Sequence, residues 1–272
     1  MKLAGKVALI TGGARGIGRG IALALARQGA DIAIAEVERM ASASQQYRAA
    51  AVSGFQAAGD TVSEIQALGR RATAIEADVT QWPQVQRMLA DTMTQLGQLD
   101  ILVCNAGVVH ISTVEKMPEE EWDLTMAVNV KGVFLTCKAA LPILKQRPDA
   151  CIINIASVAG KNGSPGMAHY CASKFAVVGF TNALAKEVAR FNIRVNAICP
   201  GILRTQMWEY LADTLKQKGE SKEESWQRYV ASLIPLARPQ TPEDIGQLAV
   251  FLATAPNVTG QAINVDGGME LH

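Results

Sequence analysis

Seven short apolar runs, each separated from the next by a stretch long enough to hold a helix, constrain this chain more than any other feature. The runs cover 7–11, 31–36, 72–77, 101–104, 151–156, 194–199 and 262–265. They are β-branched or alanine-rich and apolar on both faces, as strands of a parallel sheet covered on both sides must be. Helical patterns at 19–27, 84–96, 122–144, 172–190 and 242–254 fall between them. Parallel strands need crossover connections, so the alternation predicts one doubly wound α/β domain with a seven-stranded parallel sheet and helices on both faces. The 272 residues suit one domain of this class, and no linker or composition shift divides them into two.

Two segments interrupt the alternation. Residues 37–69 are long for one crossover. Met40, Tyr47, Ala51, Phe55, Val62, Ile65 and Leu68 recur there at helix-like intervals, broken by Gly54 and Gly59. The pattern reads as an extended or split amphipathic helix, with a partner-binding element as the other reading. Residues 202–235 carry Met207, Trp208, Tyr210 and Leu211, followed by the charge-rich run 216–224. The charges read as a solvated face. The aromatic cluster is either a pocket lid or ordinary core.

Composition closes off several functions. The net charge is +1, so no bulk electrostatic case exists for nucleic acid or an anionic membrane. No uninterrupted apolar run is long enough to span a bilayer, and the N-terminus lacks a signal-peptide pattern; both point to a cytoplasmic protein. Cys104, Cys137, Cys151, Cys171 and Cys199 form no CxxC pair and read as buried reduced thiols. Three scattered histidines, His110, His169 and His272, suggest no metal site.

The chemistry begins where the first run ends, at Thr11-Gly12-Gly13-Ala14-Arg15-Gly16-Ile17-Gly18. Glycines here let the backbone turn tightly and bring N–H groups to a pyrophosphate at a helix N-terminus. The spacing is Gly-x-x-x-Gly-x-Gly, which gains its meaning from lying between a strand and a helix. Glu36 ends the second run and could accept hydrogen bonds from the ribose 2′-OH of NAD, whereas it would repel the 2′-phosphate of NADP. Arg15 and Arg39 argue for NADP, since a guanidinium can pair with that phosphate; Glu38 reads as solvent-facing. Asp78-Val79 and Asn105-Ala106-Gly107 follow the third and fourth runs, at strand ends where ligands of such sheets bind. Asp78 could hold an adenine amino group, and Gly107 permits close approach.

Tyr170 and Lys174 lie four apart on a helical pattern and so share a face. A neighbouring ammonium favours the phenolate and would bring the tyrosine toward a useful range. Ser157 lies 13 residues upstream at a strand end, where it could bond a substrate oxygen. Tyr170 would then give or take the proton on that oxygen while hydride moves between substrate carbon and nicotinamide.

With these residues in hand, the chain resembles the classical short-chain dehydrogenase/reductase family, whose fold is Rossmann-type. The match rests on Thr11-Gly12-x-x-x-Gly16-x-Gly18, Asp78, Asn105-Ala106-Gly107, Asn129, Ser157, Tyr170-x-x-x-Lys174, Pro200-Gly201 and Val265-Asp266-Gly267-Gly268. The resemblance implies that Asn129 holds a water in a proton relay from Lys174, and that Lys174 bonds the nicotinamide ribose. It implies nicotinamide-end contacts from Pro200, Gly201 and Thr205, with Ile202 nearby. It also implies a homotetramer built through 122–144 and 172–190. Cys104, often Asn in the family, and the 37–69 insert depart from the pattern. The stretch 201–209, with 234–239, is similar to the acetoin/2,3-butanediol and polyol dehydrogenase branch. The expectation is therefore NAD-dependent interconversion of a small secondary alcohol, diol or polyol with its ketone. Ser157, Ala159, Tyr170, Met207 and Trp208 would line its pocket, with His110 or Met167 at the rim. Reduction of 3-oxoacyl thioesters with NADPH is the alternative. A dinucleotide-binding module without turnover is the non-enzymatic one, although it would have no need of Ser157, Tyr170 and Lys174.

Overall fold

The computed structural model describes residues 1–38 and 54–271. Strands β1 (Val7–Thr11), β2 (Asp31–Glu36), β3 (Ala72–Glu76), β4 (Ile101–Cys104), β5 (Ala150–Ile155), β6 (Ile193–Pro200) and β7 (Ala262–Val265) form one sheet. All pairings are parallel, and the order is β3-β2-β1-β4-β5-β6-β7. The chain winds outward through β1, β2 and β3, then returns to place β4 beside β1. Strand order therefore reverses between β1 and β4, and the loops leaving those strands diverge to open a crevice.

Side chains alternate across the sheet and feed two cores. Ala8, Ile10, Ile32 and Ile34 face one layer, formed by α1 (Gly16–Arg27), α2 (Gly54–Ala67) and α9 (Pro242–Thr254). Leu9, Ala33, Leu102 and Ile152 face the other, formed by α3 (Trp82–Leu96), α5 (Gly132–Leu144) and α6 (Ala168–Val188). The period of two in the strands and the doubly apolar sequence are thus two views of one fact. Local chemistry sets the helix ends. Thr241 and Asp244 form a reciprocal cap with Pro242 just inside α9, and Gly97 closes α3 in the left-handed region.

Several boundaries differ from expectation. α6 begins at Ala168 rather than 172, which brings Tyr170 inside the helix. The helix expected over 122–144 starts earlier, as α4 (Glu119–Met126), and passes through a π-helical turn at Ala127–Lys131 before α5. This run is long and apolar enough to cross a bilayer by length and composition, yet half of its apolar window is buried inside the domain. In the 37–69 segment, Met40, Tyr47, Ala51 and Arg39 lie outside the described residues, as does His272. Gly54 opens α2, and Gly59 does not break it. The buried stripe of α2 is Ala58, Thr61 and Ile65, so Phe55 and Leu68, expected on the apolar face, stand 36% and 41% exposed.

Residues 202–235 fold into α7 (Gln206–Thr214) and α8 (Lys222–Leu233). The charge run is exposed, as expected, and its ends also tie the two helices together. Arg204 pairs with Glu209 and Glu223, and Lys222 reaches Glu209. Exposed pairs of this kind are screened by water, so the network orients α8 more than it stabilises it.

Candidate active site

A single cavity of about 1280 Å³ runs along the C-terminal ends of the strands, over the reversal between β1 and β4. At one end it is walled by Gly12, Arg15, Gly16, Ile17, Glu36, Asp78 and Val79. Its middle is walled by Asn105, Ala106, Gly107, Ser157, Tyr170 and Lys174, with Pro200, Gly201, Ile202 and Thr205 across from them. Ala159, Met207 and Trp208 line the far end. Two residues expected in the site, Gly18 and Asn129, do not face the cavity.

The glycine turn suits a pyrophosphate. Gly12 and Gly16 have φ of 66° and 49°, the left-handed conformations that a turn of this kind requires. Gly18 lies underneath: a Cβ there would sit 2.2 Å from Gly12 O and 2.6 Å from Asn105 Nδ2. Its lack of a side chain lets α1 press against the loop. Thr11 Oγ1 accepts from the N–H groups of Asn105 (3.0 Å) and Ala106 (3.2 Å). Asn105 Nδ2 donates to Gly12 O at 2.8 Å and Thr11 O at 3.1 Å, so one amide holds both loops of the crevice. Asp78 spends one carboxylate oxygen on Thr80 N and Thr80 Oγ1, both at 2.8 Å.

Glu36 faces the cavity and accepts from Val37 N at 3.2 Å. Burial raises its pKa above the usual carboxylate value, against the opposing pull of the Val37 and Ala14 amides and Arg15. Gly54, at the start of α2, packs so closely that a Cβ there would meet Val37 O at 2.2 Å and Glu36 Cγ at 2.9 Å. The described end of the insert therefore forms part of the wall around Glu36. Arg15 donates to Gln206 Oε1 at 3.0 Å, spanning the mouth from the glycine turn to α7. A turn of backbone amides, an acceptor at the end of β2 and glycine-lined walls between them fit a nicotinamide dinucleotide.

At the chemical end, Ser157 follows β5 and its Oγ accepts from Ala159 N at 3.1 Å. Ser157 lies near enough to the Tyr170 phenol to favour its ionised form, so the two hydroxyls expected to act together share one part of the site. Lys174 Nζ donates to Ile155 O at 2.9 Å and lies 5.5 Å from the Tyr170 ring centroid. One expectation is corrected here. Burial dominates both groups, pushing the Tyr170 phenol up to about 12 and Lys174 down to about 8. The Ser157 hydroxyl, rather than the ammonium, is what opposes the rise at Tyr170. Asn129 sits in the π-helical turn. Its Oδ1 accepts from Val108 N at 2.8 Å, and its Nδ2 donates to Val108 O at 2.9 Å and Ser173 Oγ at 3.0 Å. The side chain is thus a brace between the loop after β4 and α6, with both amide protons committed.

His110, expected at the pocket rim, is fully buried and off the cavity wall; Met167 does line it. The His110 ring stacks on His169 with centroids 6.0 Å apart. Burial, with His110 as neighbour, lowers His169 to about 4. An unfolded histidine titrates near 6.5, so the unfolded chain binds the proton first as pH falls. Stability is full above about 6.5, drains between about 6.5 and 4, and the loss from this group is at most about 3 kcal/mol. Urea unfolding at pH 7 and pH 4.5 measures the drop, and His169→Asn should flatten that part of the profile.

Sequence reasoning missed the contribution of α8. Trp208 packs edge-on against Trp226 and beside Tyr229, both with ring centroids at 5.8 Å, while still facing the cavity. Trp208 is therefore at once a wall of the cavity and part of a packed aromatic cluster. The 3–4 spacing of Trp226, Tyr229, Val230 and Leu233 was the available signal, hidden behind the adjoining charge run. The C-terminal residues Met269 and Glu270 also reach the cavity and were not expected there.

A parallel sheet with its cavity at the strand reversal, a glycine turn and a Ser–Tyr–Lys cluster define a dinucleotide-dependent oxidoreductase. Residues 6–216 match the short chain dehydrogenase family, and the chain belongs to that family. It is 38% identical over 266 residues to a 3-oxoacyl-[acyl-carrier-protein] reductase FabG of Staphylococcus aureus (97% of this chain, 98% of the relative). It is 39% identical over 277 residues to the oxidoreductase UcpA of Salmonella typhimurium (99% and 96%). Its fold matches the crystal structure of a short-chain type dehydrogenase/reductase from Mycobacterium marinum, with TM-score 0.85 and 37% identity over 99% of this chain and 97% of that one.

Proposed function

We propose that this enzyme reduces the ketone of an acyl substrate of the 3-oxoacyl thioester class, with NADH as the preferred donor. The observation that carries this reading is the wall beyond Tyr170: Val109, Met167, Met207, Trp208, Leu211 and Leu215. A polyol carries a hydroxyl on most of its carbons, and each would need a partner there on leaving water. An acyl chain needs none. The name borne by the Staphylococcus aureus relative points the same way. The small alcohol, diol or polyol reading retains the likeness of 201–209 to that branch as its support.

The residues divide the work. The glycine turn, Glu36 and the loops after β3 and β4 would hold the dinucleotide, which when bound supplies the hydride. Ser157 and Tyr170 hold the ketone oxygen. A phenol at about 12 is protonated at neutral pH, so Tyr170 is ready to act as the acid when a ketone is reduced. Lys174 anchors the ribose side and keeps a positive charge near the phenolate left behind. Glu36 disfavours a 2′-phosphate by like-charge repulsion in a buried position. The exposed Phe134 and Phe175, on α5 and α6, support the tetramer that the family resemblance implies.

Initial rates with acetoacetyl thioester and either NADH or NADPH test the proposal, alongside diols and polyols with NAD. Turnover of the thioester with at least tenfold preference for NADH is expected. Activity confined to diols or polyols would replace the substrate, and a preference for NADPH would overturn the role given to Glu36.

A further inference from the structure

On the Ser157 side of the cavity one carboxylate, Glu270, which meets Asn162 of the loop after β5, stands among the described residues that line it. The other lining acids, Glu36, Glu38 and Asp78, all lie toward the adenosine end. The chain does not reach this place loosely. After β7, Asp266 is buried and gathers the tail: its Oδ1 accepts from Gly268 N at 2.9 Å and its Oδ2 from Glu270 N at 2.8 Å. Asn264 Nδ2 donates to Glu270 O at 2.9 Å. On the same cavity lining the exposed Asn162 donates through Nδ2 to Glu270 Oε1 at 3.2 Å. No cation among the described residues pairs with it.

A carboxylate offers about four acceptor positions, and one neutral amide fills one of them. Glu270 is half-buried on the cavity lining, so its remaining positions are open to a donor on a molecule that enters. We infer that Glu270 orients the substrate by accepting a hydrogen bond from a hydroxyl or amide N–H carried at a distance from the reacting ketone. Asn162 is its positioning residue. This rests on the thioester reading above, in which the thiol arm beyond the sulfur carries amide N–H groups. The same contact explains why a mostly apolar pocket can still choose one end of its substrate. Apolar burial is non-directional, whereas a charge-assisted hydrogen bond fixes orientation.

The test uses two S-acetoacetyl thioesters, one of N-acetylcysteamine and one of its N-methyl analogue, which lacks the donor. Each is offered to the full-length enzyme with NADH. KM is taken from turnover, and Kd from quenching of tryptophan fluorescence, which Trp208 in the wall makes sensitive to occupancy. The wild-type enzyme should favour the N–H compound about tenfold or more in both readouts. Glu270→Ala should bring the ratio to near one, and Glu270→Gln and Asn162→Ala should leave intermediate ratios. A ratio near one in the wild-type enzyme, or a ratio unchanged by Glu270→Ala, overturns the assignment while leaving the thioester reading intact. A preference seen in binding without turnover of either compound overturns the thioester reading and keeps Glu270. Absence of both binding and turnover overturns the two together.

Discussion

Replacing Tyr170 by Phe is expected to lower turnover by about 10²–10⁴-fold while leaving dinucleotide affinity within a few-fold of the parent. The substitution removes one hydroxyl. The ring remains in a site that is only 7% exposed, so packing with Val109, Cys171 and Leu211 is preserved. What disappears is the hydroxyl beside Ser157, and with it the proton that the substrate oxygen must receive. The glycine turn and Glu36 are untouched, because they wall a different part of the cavity from Tyr170. Burial has already set the phenol to about 12, so at neutral pH the loss is of an acid, and the defect should be present in the reductive direction without a change in its pH dependence between 6 and 8. NADH titration by fluorescence and steady-state rates separate binding from chemistry. Turnover near the parental rate would refute the assignment of Tyr170.

Much of this site was legible before the structure because its residues stand at strand ends. Strand position follows from local apolar pattern, and a parallel sheet carries all its C-terminal ends to one edge. Knowing that Thr11, Glu36 and Pro200 close strands, and that Asp78, Asn105 and Ser157 follow them within two residues, was therefore enough to bring them together. The reasoning failed where position depends on contacts between distant segments. Asn129 reads as a polar residue inside a helix; only the π-helical turn and the distance to Val108 show that it braces a loop. The polarisation of Tyr170 by Lys174 follows from i,i+4 spacing alone, yet burial, which no spacing reports, decides both pKa values. His110 lies beside a site loop in sequence, and its stacking on His169 removes it from the cavity. Met269 and Glu270 carry no pattern at all: the buried Asp266 that turns them inward acts within four residues, but the loop that receives them is at 162.

The second large effect is expected at Gly18, and it tests which kind of reading is right for that position. As a cavity-lining residue, Gly18→Ala would weaken dinucleotide binding and leave the fold unchanged. The structure argues for a different order of events. Gly18 has no positive φ, so its backbone tolerates alanine, and inside a helix the exchange ordinarily gains about 0.5–1 kcal/mol. The new methyl, however, would stand 2.2 Å from Gly12 O, 2.6 Å from Asn105 Nδ2 and 2.9 Å from Gly12 C. Two of those three atoms are backbone and cannot rotate away. The third belongs to the amide that joins the loops after β1 and β4. Relief requires α1 to move off the loop, which strains a packed interface by about 1–3 kcal/mol. That movement displaces the amides of Arg15, Gly16 and Ile17 from the cavity wall, so NADH affinity should fall more than tenfold as a consequence. Urea unfolding without dinucleotide is the deciding measurement. A fall of about 1–3 kcal/mol together with weakened NADH binding supports packing as the cause. Weakened binding with unchanged stability would return Gly18 to the set of residues that meet the dinucleotide directly.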